Sequence, residues 1–376
     1  MLDELLKGTI QTRPFRTYNP DDPNHPTKIF GGKSSGIRNW DDLKYPIFHK
    51  YQEDLFSEYW VPKEVSMGKD REQYENVLSD NEKKVYQYNA GMLNWLDSMA
   101  SDVVTLLFLS TSDPSLRSLL TLIASFETMH NVSYEYMTAS VLNNAEKQLS
   151  FQEVREIPEL NRRNDHIIEK LDHMTVTLST YLVKCSVSDK QIEMTEEELQ
   201  SVFEGLIAYQ ILEGLYFSGG FVYFHSLARD NKMIESNNII NLIKADENQH
   251  SEIFGVLIQI LMQENPHLNT QKNLDFAMEY IKTAIDLEKE YSSLLYKDID
   301  VLPTSEYHNY IEYLANLICR NAGLIEPYPN NTELKSSWIV TYGSKKSSGE
   351  GIAPKVDFLQ NTAIDYKHED GGDFDL

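Results

Sequence analysis

The chain has 376 residues, of which 41% are hydrophobic, and its formal net charge is −24. This length predicts roughly two or three domains, and the hydrophobic share is enough to build a sizeable core. The negative charge argues against nucleic acid or an anionic membrane surface as a direct partner, because both would be repelled.

Cysteine usage and the N-terminus bear on the compartment. The two cysteines, Cys185 and Cys319, form neither a Cys-x-x-Cys unit nor a disulfide framework, so we expect a reducing, cytoplasmic setting. The N-terminal segment lacks the continuous apolar core of a signal peptide. No apolar run approaches the roughly 18 residues of a membrane span.

The pattern along the chain is helical for most of its length. Residues 1–40 are rich in Pro, Asn, Asp, Gly and Lys and predict an extended arm, and residues 40–65 predict short helices. Capping residues predict five later helix starts. In chain order these are Ser79 with Glu82, Asp113 with Pro114, Ser150 with Glu153, Thr195 with Glu198, and Ser236 or Asn237. Two further helical stretches are expected at residues 270–298 and 304–322.

Little of the sequence favours strand. The main strand-like piece is SWIVTYG at residues 337–343, so we predict an all-α chain. After residue 342 the composition becomes that of a flexible linker followed by an acidic segment that cannot bury enough surface to fold alone. We therefore divide the chain into an extended N-terminal arm (1–40), a helical domain (41–330) and a flexible acidic C-terminal tail (331–376).

Two Glu-x-x-His units stand out within the helical pattern. They are Glu127 with His130, and Glu247 with His250. Residues three apart are neighbours on a helix surface, so each unit directs a carboxylate and an imidazole to one point. One unit alone would be interpreted as a surface helix pair. Two units on two helices suggest that the helices face each other across a metal site.

Two further acids lie inside apolar runs. Asp97 occurs in MLNWLDSM and Glu213 in YQILEGLYF. Burying an unpaired acid is costly, so each is a metal ligand, a member of a buried ion pair, or an acid on the wet face of its helix. Together with the Glu-x-x-His units they supply six ligands from four helices. That set predicts a dinuclear site in a ferritin-like helical bundle, where carboxylate and imidazole ligands suit iron or manganese.

Aromatic and apolar residues accompany these ligands. Tyr134 follows His130 by four residues and shares its helix face, which makes it a possible electron donor or a core tyrosine. Phe217 and Phe221 follow Glu213 at i+4 and i+8, and Ile243 precedes Glu247 by four. The last three residues would build a dry wall beside the metals or would simply belong to the core.

Five segments together resemble the small, radical-generating (beta) subunit of class I ribonucleotide reductase, over residues 40–330. They are SEYWVPKEVS, LNWLDSM, SFETMHNVSY, QILEGLYFSGGF and LIKADENQH. The resemblance implies two metal ions per chain, with iron first and manganese or a mixed pair left open. It also implies a homodimer and a large (alpha) partner subunit that is bound through the C-terminal tail.

The resemblance assigns a role to each matching residue. One metal takes Asp97, Glu127 and His130; the other takes Glu213, Glu247 and His250; Glu127 and Glu247 bridge. Tyr134 matches the position of the radical, and Phe217, Phe221 and Ile243 match the pocket around it. Trp60, Asp246 and Tyr366 match the radical-transfer route. By the family spacing one residue is missing between Asp97 and Glu127, and Tyr366 lies closer than usual to the C-terminus.

The function that the resemblance implies is ribonucleoside-diphosphate reduction. The metal pair activates oxygen and oxidises Tyr134, and the radical passes to the large subunit, which reduces ribonucleotides to deoxyribonucleotides. Two alternatives remain open at this stage. One is a ferroxidase of the ferritin type, and the other is a di-iron carboxylate oxygenase that acts on a substrate of its own.

Overall fold

A computed structural model describes residues 22–188, 192–331 and 337–340 of the chain. Within these ranges the regular structure is helical, and β-pairing is limited to one isolated bridge between Phe30 and Thr111. The all-α prediction is therefore confirmed for the part of the chain that the structure describes. Its longer helices are α1 (Pro46–Glu58), α2 (Asp70–Asn76), α3 (Asp80–Ser110), α4 (Pro114–Val141), α5 (Asn144–Glu153), α6 (Pro158–Val187), α7 (Glu196–Ile211), α8 (Ser218–Arg229), α9 (Ile234–Glu264), α10 (Gln271–Leu295) and α11 (Thr304–Asn321).

Four helical segments form a closed ring at the centre of the bundle. A π-helical turn, Leu212–Phe217, joins α7 to α8 without a break. Helix α3 packs against α4, α4 against α9, α9 against the π-helical turn, and that turn against α3. Each helix directs a stripe of buried side chains inwards, as at Leu93, Leu96 and Ala100 of α3. Whatever the four segments carry on their inner faces must therefore meet.

Local capping chemistry sets several helix starts as predicted. Ser79 and Glu82 make a reciprocal capping box at the start of α3. Thr195 and Glu198 do the same at α7. The Asp113 carboxylate accepts hydrogen bonds from the first free backbone N–H groups of α4. These hydrogen bonds satisfy backbone N–H groups that have no partner within the helix. Because the capping side chains are close in sequence to those groups, the helix starts could be predicted from the sequence.

Two predicted helix starts are wrong. Ser150 and Glu153 lie inside α5, which begins at Asn144 behind a capping box of Asn143 and Glu146. Helix α9 begins at Ile234, ahead of the predicted Ser236 or Asn237. The first error arose because the nearby Asn143 signal is chemically equivalent. The second has a tertiary cause, described next.

The start of α9 is capped from another helix. The Asp70 carboxylate of α2 accepts hydrogen bonds from the backbone N–H of Glu235 at 3.2 Å and of Ser236 at 2.6 Å. Met233, the residue before the helix, adopts a left-handed conformation with φ of 51°. Because the capping acid is remote in sequence, no local pattern could locate this helix start.

The predicted strand SWIVTYG is also wrong for the residues that the structure describes. Trp338 to Val340 form a short helical turn, and residues 341–343 lie outside the described ranges. Ile339 is fully buried, and the Trp338 indole N–H donates to Glu306 at 2.6 Å. The alternating pattern therefore serves to dock the turn on α11 and not to pair it in a sheet.

Two other segments bear on the expected organisation. The described part of the arm packs on the bundle, since Ile29 is fully buried and its N–H donates to Glu264 of α9 at 2.6 Å. Helix α3 is long and apolar enough to cross a membrane by composition alone. In the bundle α3 is a core helix, and a core helix can be as long and as apolar as a membrane span. The helical stretches expected at 270–298 and 304–322 are confirmed as α10 and α11.

Candidate metal centre

Six acidic and histidine side chains of the types that bind metal ions meet inside the ring of four segments. Every one of them is fully buried. They divide into two groups whose ligand atoms lie within 4.8 Å of one another, and two acids belong to both groups. The groups are Asp97, Glu127, His130 and Glu247, and Glu127, Glu213, Glu247 and His250. The shared acids, Glu127 and Glu247, come from the two Glu-x-x-His units.

Each imidazole faces both shared carboxylates. His130 Nδ1 lies 2.9 Å from Glu247 Oε1 and 3.7 Å from Glu127 Oε2. His250 Nδ1 lies 3.1 Å from Glu127 Oε1 and 3.3 Å from Glu247 Oε2. The remaining acids are placed one at each end of the cluster. Asp97 is 3.6 Å from His130 Nδ1, and Glu213 is 3.7 Å from His250 Nδ1.

The cluster has more acceptors than the protein can satisfy. Both carboxylate oxygens of Asp97, Glu127 and Glu213 are buried without a hydrogen-bond partner. Four carboxylates share two imidazoles in a space that excludes water, which is costly unless positive charge is added. Two divalent cations would supply that charge. The residues present therefore fit a dinuclear metal site.

Ionisation within the cluster reflects the same excess of acids. Burial, reinforced by the neighbouring carboxylates Glu127 and Glu247, raises the pKa of Asp97 and Glu213 well above the usual range. Burial alone would also raise the pKa of Glu247, but contacts with Glu213 and His130 outweigh it and hold this pKa low. Without metal, protons must stay in the cluster to balance charge that cations would otherwise balance.

The π-helical turn positions Glu213. It adds an extra residue to the helical turn, and such insertions are frequent at functional sites. Gly214 makes the close packing possible, because a Cβ there would meet Ile318 Cγ2 at 2.2 Å and Ser251 Oγ at 2.6 Å. Sequence reasoning missed this turn. The glycine directly after the buried acid was the one available signal.

A hydrogen-bonded chain leads from the cluster toward the surface. The Trp60 indole N–H donates to Asp246 Oδ2 at 2.8 Å. The same oxygen lies 3.0 Å from Nε2 of His130, whose Nδ1 faces the cluster. Trp60 is 2% exposed, but its neighbours Tyr59 and Val61 are 42% and 41% exposed. The hydrogen-bonded chain of side chains therefore ends at Trp60, just beneath the protein surface.

The predicted radical residue and its pocket are all in the interior. Tyr134 is fully buried, and its hydroxyl has no hydrogen-bond partner among the described residues. Burial, followed by the charges of Asp97, Glu247 and Glu127, raises its pKa. The predicted pocket residues are likewise fully buried. They are Phe217, Phe221 and Ile243, and the two phenylalanine rings stack with centroids 6.3 Å apart. Tyr366 lies outside the described residues.

The chain matches the family model described as "Ribonucleotide reductase, small chain" over residues 37–335. The protein belongs to this family. It is 28% identical over 359 residues to the ribonucleoside-diphosphate reductase subunit beta of Halalkalibacterium halodurans. This match covers 95% of this chain and 96% of that protein. It is 27% identical to the corresponding subunit of Treponema pallidum, over 89% of this chain and 91% of that protein.

The fold agrees with this membership. The ribonucleotide reductase R2 subunit from Clostridium botulinum superposes with a TM-score of 0.76, covering 87% of this chain and 98% of that chain at 24% identity. The ferritin-like bundle predicted from the sequence is thus confirmed. A small chain of this family works with a large chain, and its buried acid and histidine cluster could hold a dinuclear metal site.

In the metal-free protein, Glu213→Gln should stabilise the fold. Burial raises the pKa of Glu213, so folding keeps a proton on a carboxyl that in the unfolded chain ionises at its ordinary pKa of 4.5. This group therefore opposes folding more strongly as the pH rises from 5 to 8. We therefore expect Glu213→Gln to increase the free energy of unfolding at pH 8, and to increase it less at pH 5.

Urea unfolding in the presence of a chelator at pH 5 and pH 8 measures this effect. Glu197→Gln is the matched control, because Glu197 is an exposed acid on α7, the helix that leads into the turn carrying Glu213. The control should change stability by no more than a few tenths of a kcal/mol. A Glu213→Gln variant that is no more stable than the parent at pH 8 would contradict the assignment.

Proposed function

We propose that this protein is the small subunit of a ribonucleoside-diphosphate reductase and that it generates a radical at Tyr134. The observation that carries the proposal is a fully buried phenol that feels the charges of Asp97, Glu247 and Glu127, members of a two-group cluster of six buried acids and histidines. The name of the Halalkalibacterium halodurans relative supports the reductase activity, since the similarity extends over nearly the whole of both chains.

The proposed ligand assignment follows the two groups of the cluster. Asp97, Glu127 and His130 would hold one metal ion, and Glu213, Glu247 and His250 the other, with Glu127 and Glu247 bridging. We propose iron first, although the same donor set also suits manganese or a mixed pair. When bound, the metal ions would activate dioxygen, which is the oxidant. The protein supplies position, proton acceptors and a dry surrounding.

The residues around Tyr134 have separate tasks in this proposal. Oxidation of the phenol removes an electron and the hydroxyl proton together. Asp97 is the acid whose charge acts most strongly on this hydroxyl, so we assign it as the proton acceptor. The buried side chains of Phe217, Phe221 and Ile243 would exclude water and reductants, which lets a neutral radical persist.

Radical transfer would use the hydrogen-bonded chain of Trp60, Asp246 and His130. Asp246 links the indole N–H to the imidazole through a single carboxylate oxygen, so proton positions along the chain are coupled. The exposed neighbours of Trp60 leave this end of the chain within reach of a bound large subunit. We propose Tyr366, in the acidic tail, as the next residue on the radical-transfer route.

The wild-type tyrosyl signal should be lost in Tyr134→Phe. The metal-free protein is loaded anaerobically with ferrous iron, dioxygen is admitted, and the electron paramagnetic resonance spectrum is recorded. Tyr291→Phe is the matched control, because Tyr291 is also a buried tyrosine whose hydroxyl has no hydrogen-bond partner among the described residues. The control should keep the wild-type signal.

Two outcomes would contradict the proposal at Tyr134. One is an unchanged signal in Tyr134→Phe. The other is the absence of any tyrosyl signal from the parent protein under both iron and manganese loading, at two bound metal ions per chain. The second outcome would favour a di-iron oxygenase or a ferroxidase.

Trp60→Phe should form the Tyr134 radical but abolish nucleotide reduction with the large subunit. The substitution keeps an aromatic ring and removes the N–H that donates to Asp246. Radical yield is measured by paramagnetic resonance, and turnover by conversion of ribonucleoside diphosphate. Trp40→Phe, at a partly exposed tryptophan that stacks on His49, is the control and should turn over normally. Normal turnover in Trp60→Phe would sink the assigned route.

The acidic tail is proposed as the tether to the large subunit. Deleting the residues after Gly351 should abolish binding to that subunit in a surface-based affinity measurement. We also propose a homodimer in a reducing, cytoplasmic compartment, in keeping with the two free cysteines. Sedimentation of the shortened chain is the control, since it should remain dimeric. Undiminished affinity of the dimeric, shortened protein would show that the tail does not tether.

A further inference from the structure

A second buried phenol lies beside the metal centre. Tyr209 on α7 precedes Glu213 by four residues and is fully buried. Its ring lies 4.3 Å, centroid to centroid, from that of Phe254, which follows His250 by four residues on α9. Tyr209 therefore lies one helical turn from Glu213 and packs on a residue of α9 that lies one helical turn from His250.

The Tyr209 hydroxyl is buried without a hydrogen-bond partner among the described residues. Burial first, and then the charges of Glu213 and Glu127, raise the pKa of this phenol. A buried donor left unpaired is unfavourable, so its retention calls for an explanation.

The pKa values of the two phenols respond to different acids of the cluster. After burial, the largest influence on Tyr134 comes from Asp97, and the largest on Tyr209 comes from Glu213. These acids are the unshared members of the two ligand groups. By contrast, burial raises the pKa of Tyr291, and the charges that act on it are those of Arg163 and Glu288, neither of which belongs to the cluster. Each half of the dinuclear site thus has its own buried phenol.

We propose that Tyr209 is a second oxidisable residue of the metal centre, which donates an electron when Tyr134 is absent or already oxidised. The proposal rests on the proposed function. Two ferrous ions and one phenol supply one electron fewer than the reduction of dioxygen to water requires. A phenol at the Glu213 end can supply that electron when delivery through Trp60 fails.

The electron transfer at Tyr209 balances within the site. The O–H bond of the phenol would break, its electron would go to the oxidising equivalent that dioxygen leaves at the site, and its proton would pass to the Glu213 carboxylate. The product is a neutral phenoxyl radical at Tyr209. Oxidation of the phenol also spares the ligands and the surrounding core from the surplus oxidant.

The test removes Tyr134 and asks whether a different tyrosine is oxidised. Tyr134→Phe, Tyr134→Phe with Tyr209→Phe, and Tyr134→Phe with Tyr291→Phe are loaded anaerobically with ferrous iron, mixed with dioxygen and frozen within the first second. Paramagnetic resonance spectra are recorded with ordinary and with ring-deuterated tyrosine, since deuteration identifies a tyrosyl signal. Iron content and thermal midpoint are measured on each variant, so that a loading or folding defect is visible.

The expected result is a tyrosyl signal in Tyr134→Phe whose line shape differs from that of the parent protein. It should persist with Tyr291→Phe and disappear with Tyr209→Phe at equal iron content. No tyrosyl signal in Tyr134→Phe, or one that survives Tyr209→Phe, would overturn the inference and leave the Tyr134 assignment intact. A parent protein without any tyrosyl signal would instead overturn the proposed function, and this inference with it.

Discussion

The burial of four carboxylates among two imidazoles governs the structure of this protein. The bare chain cannot satisfy these acids, because both oxygens of Asp97, Glu127 and Glu213 are left without hydrogen-bond partners. The surrounding helices form a closed ring that keeps water out, so the acids cannot relax toward solvent. Helix packing therefore maintains a concentration of negative charge that divalent cations would neutralise. The fold and the proposed chemistry both depend on this imbalance.

Neighbouring positions on one helix connect that charged interior to the surface. Glu247 points into the cluster, whereas Asp246, one residue earlier, bonds to Trp60 and His130. Successive residues on a helix project in different directions, so adjacent acids can serve two purposes. His130 joins the two functions, since one ring nitrogen faces the cluster and the other faces Asp246. Any change in charge at the proposed metal site would thereby be felt at Trp60.

Features whose cause is local were the ones that the sequence predicted. The capping boxes at Ser79 and Thr195 and the cap at Asp113 rely on residues within three positions of each other. The start of α9 escaped prediction because its cap, Asp70, is supplied by another helix. The helical turn at Trp338 escaped for the same kind of reason, since its conformation follows from docking on α11.

The all-helical fold and the pairing of a carboxylate with an imidazole in each Glu-x-x-His unit follow from the sequence, because helical spacing of three or four residues fixes which side chains share a face. That these faces meet in two groups sharing Glu127 and Glu247 follows from how the helices pack in three dimensions. The tertiary structure alone also revealed the π-helical turn at Glu213 and the phenol of Tyr209 beside it. Convergence depends on how helices far apart in sequence pack together, and no short-range pattern encodes that packing.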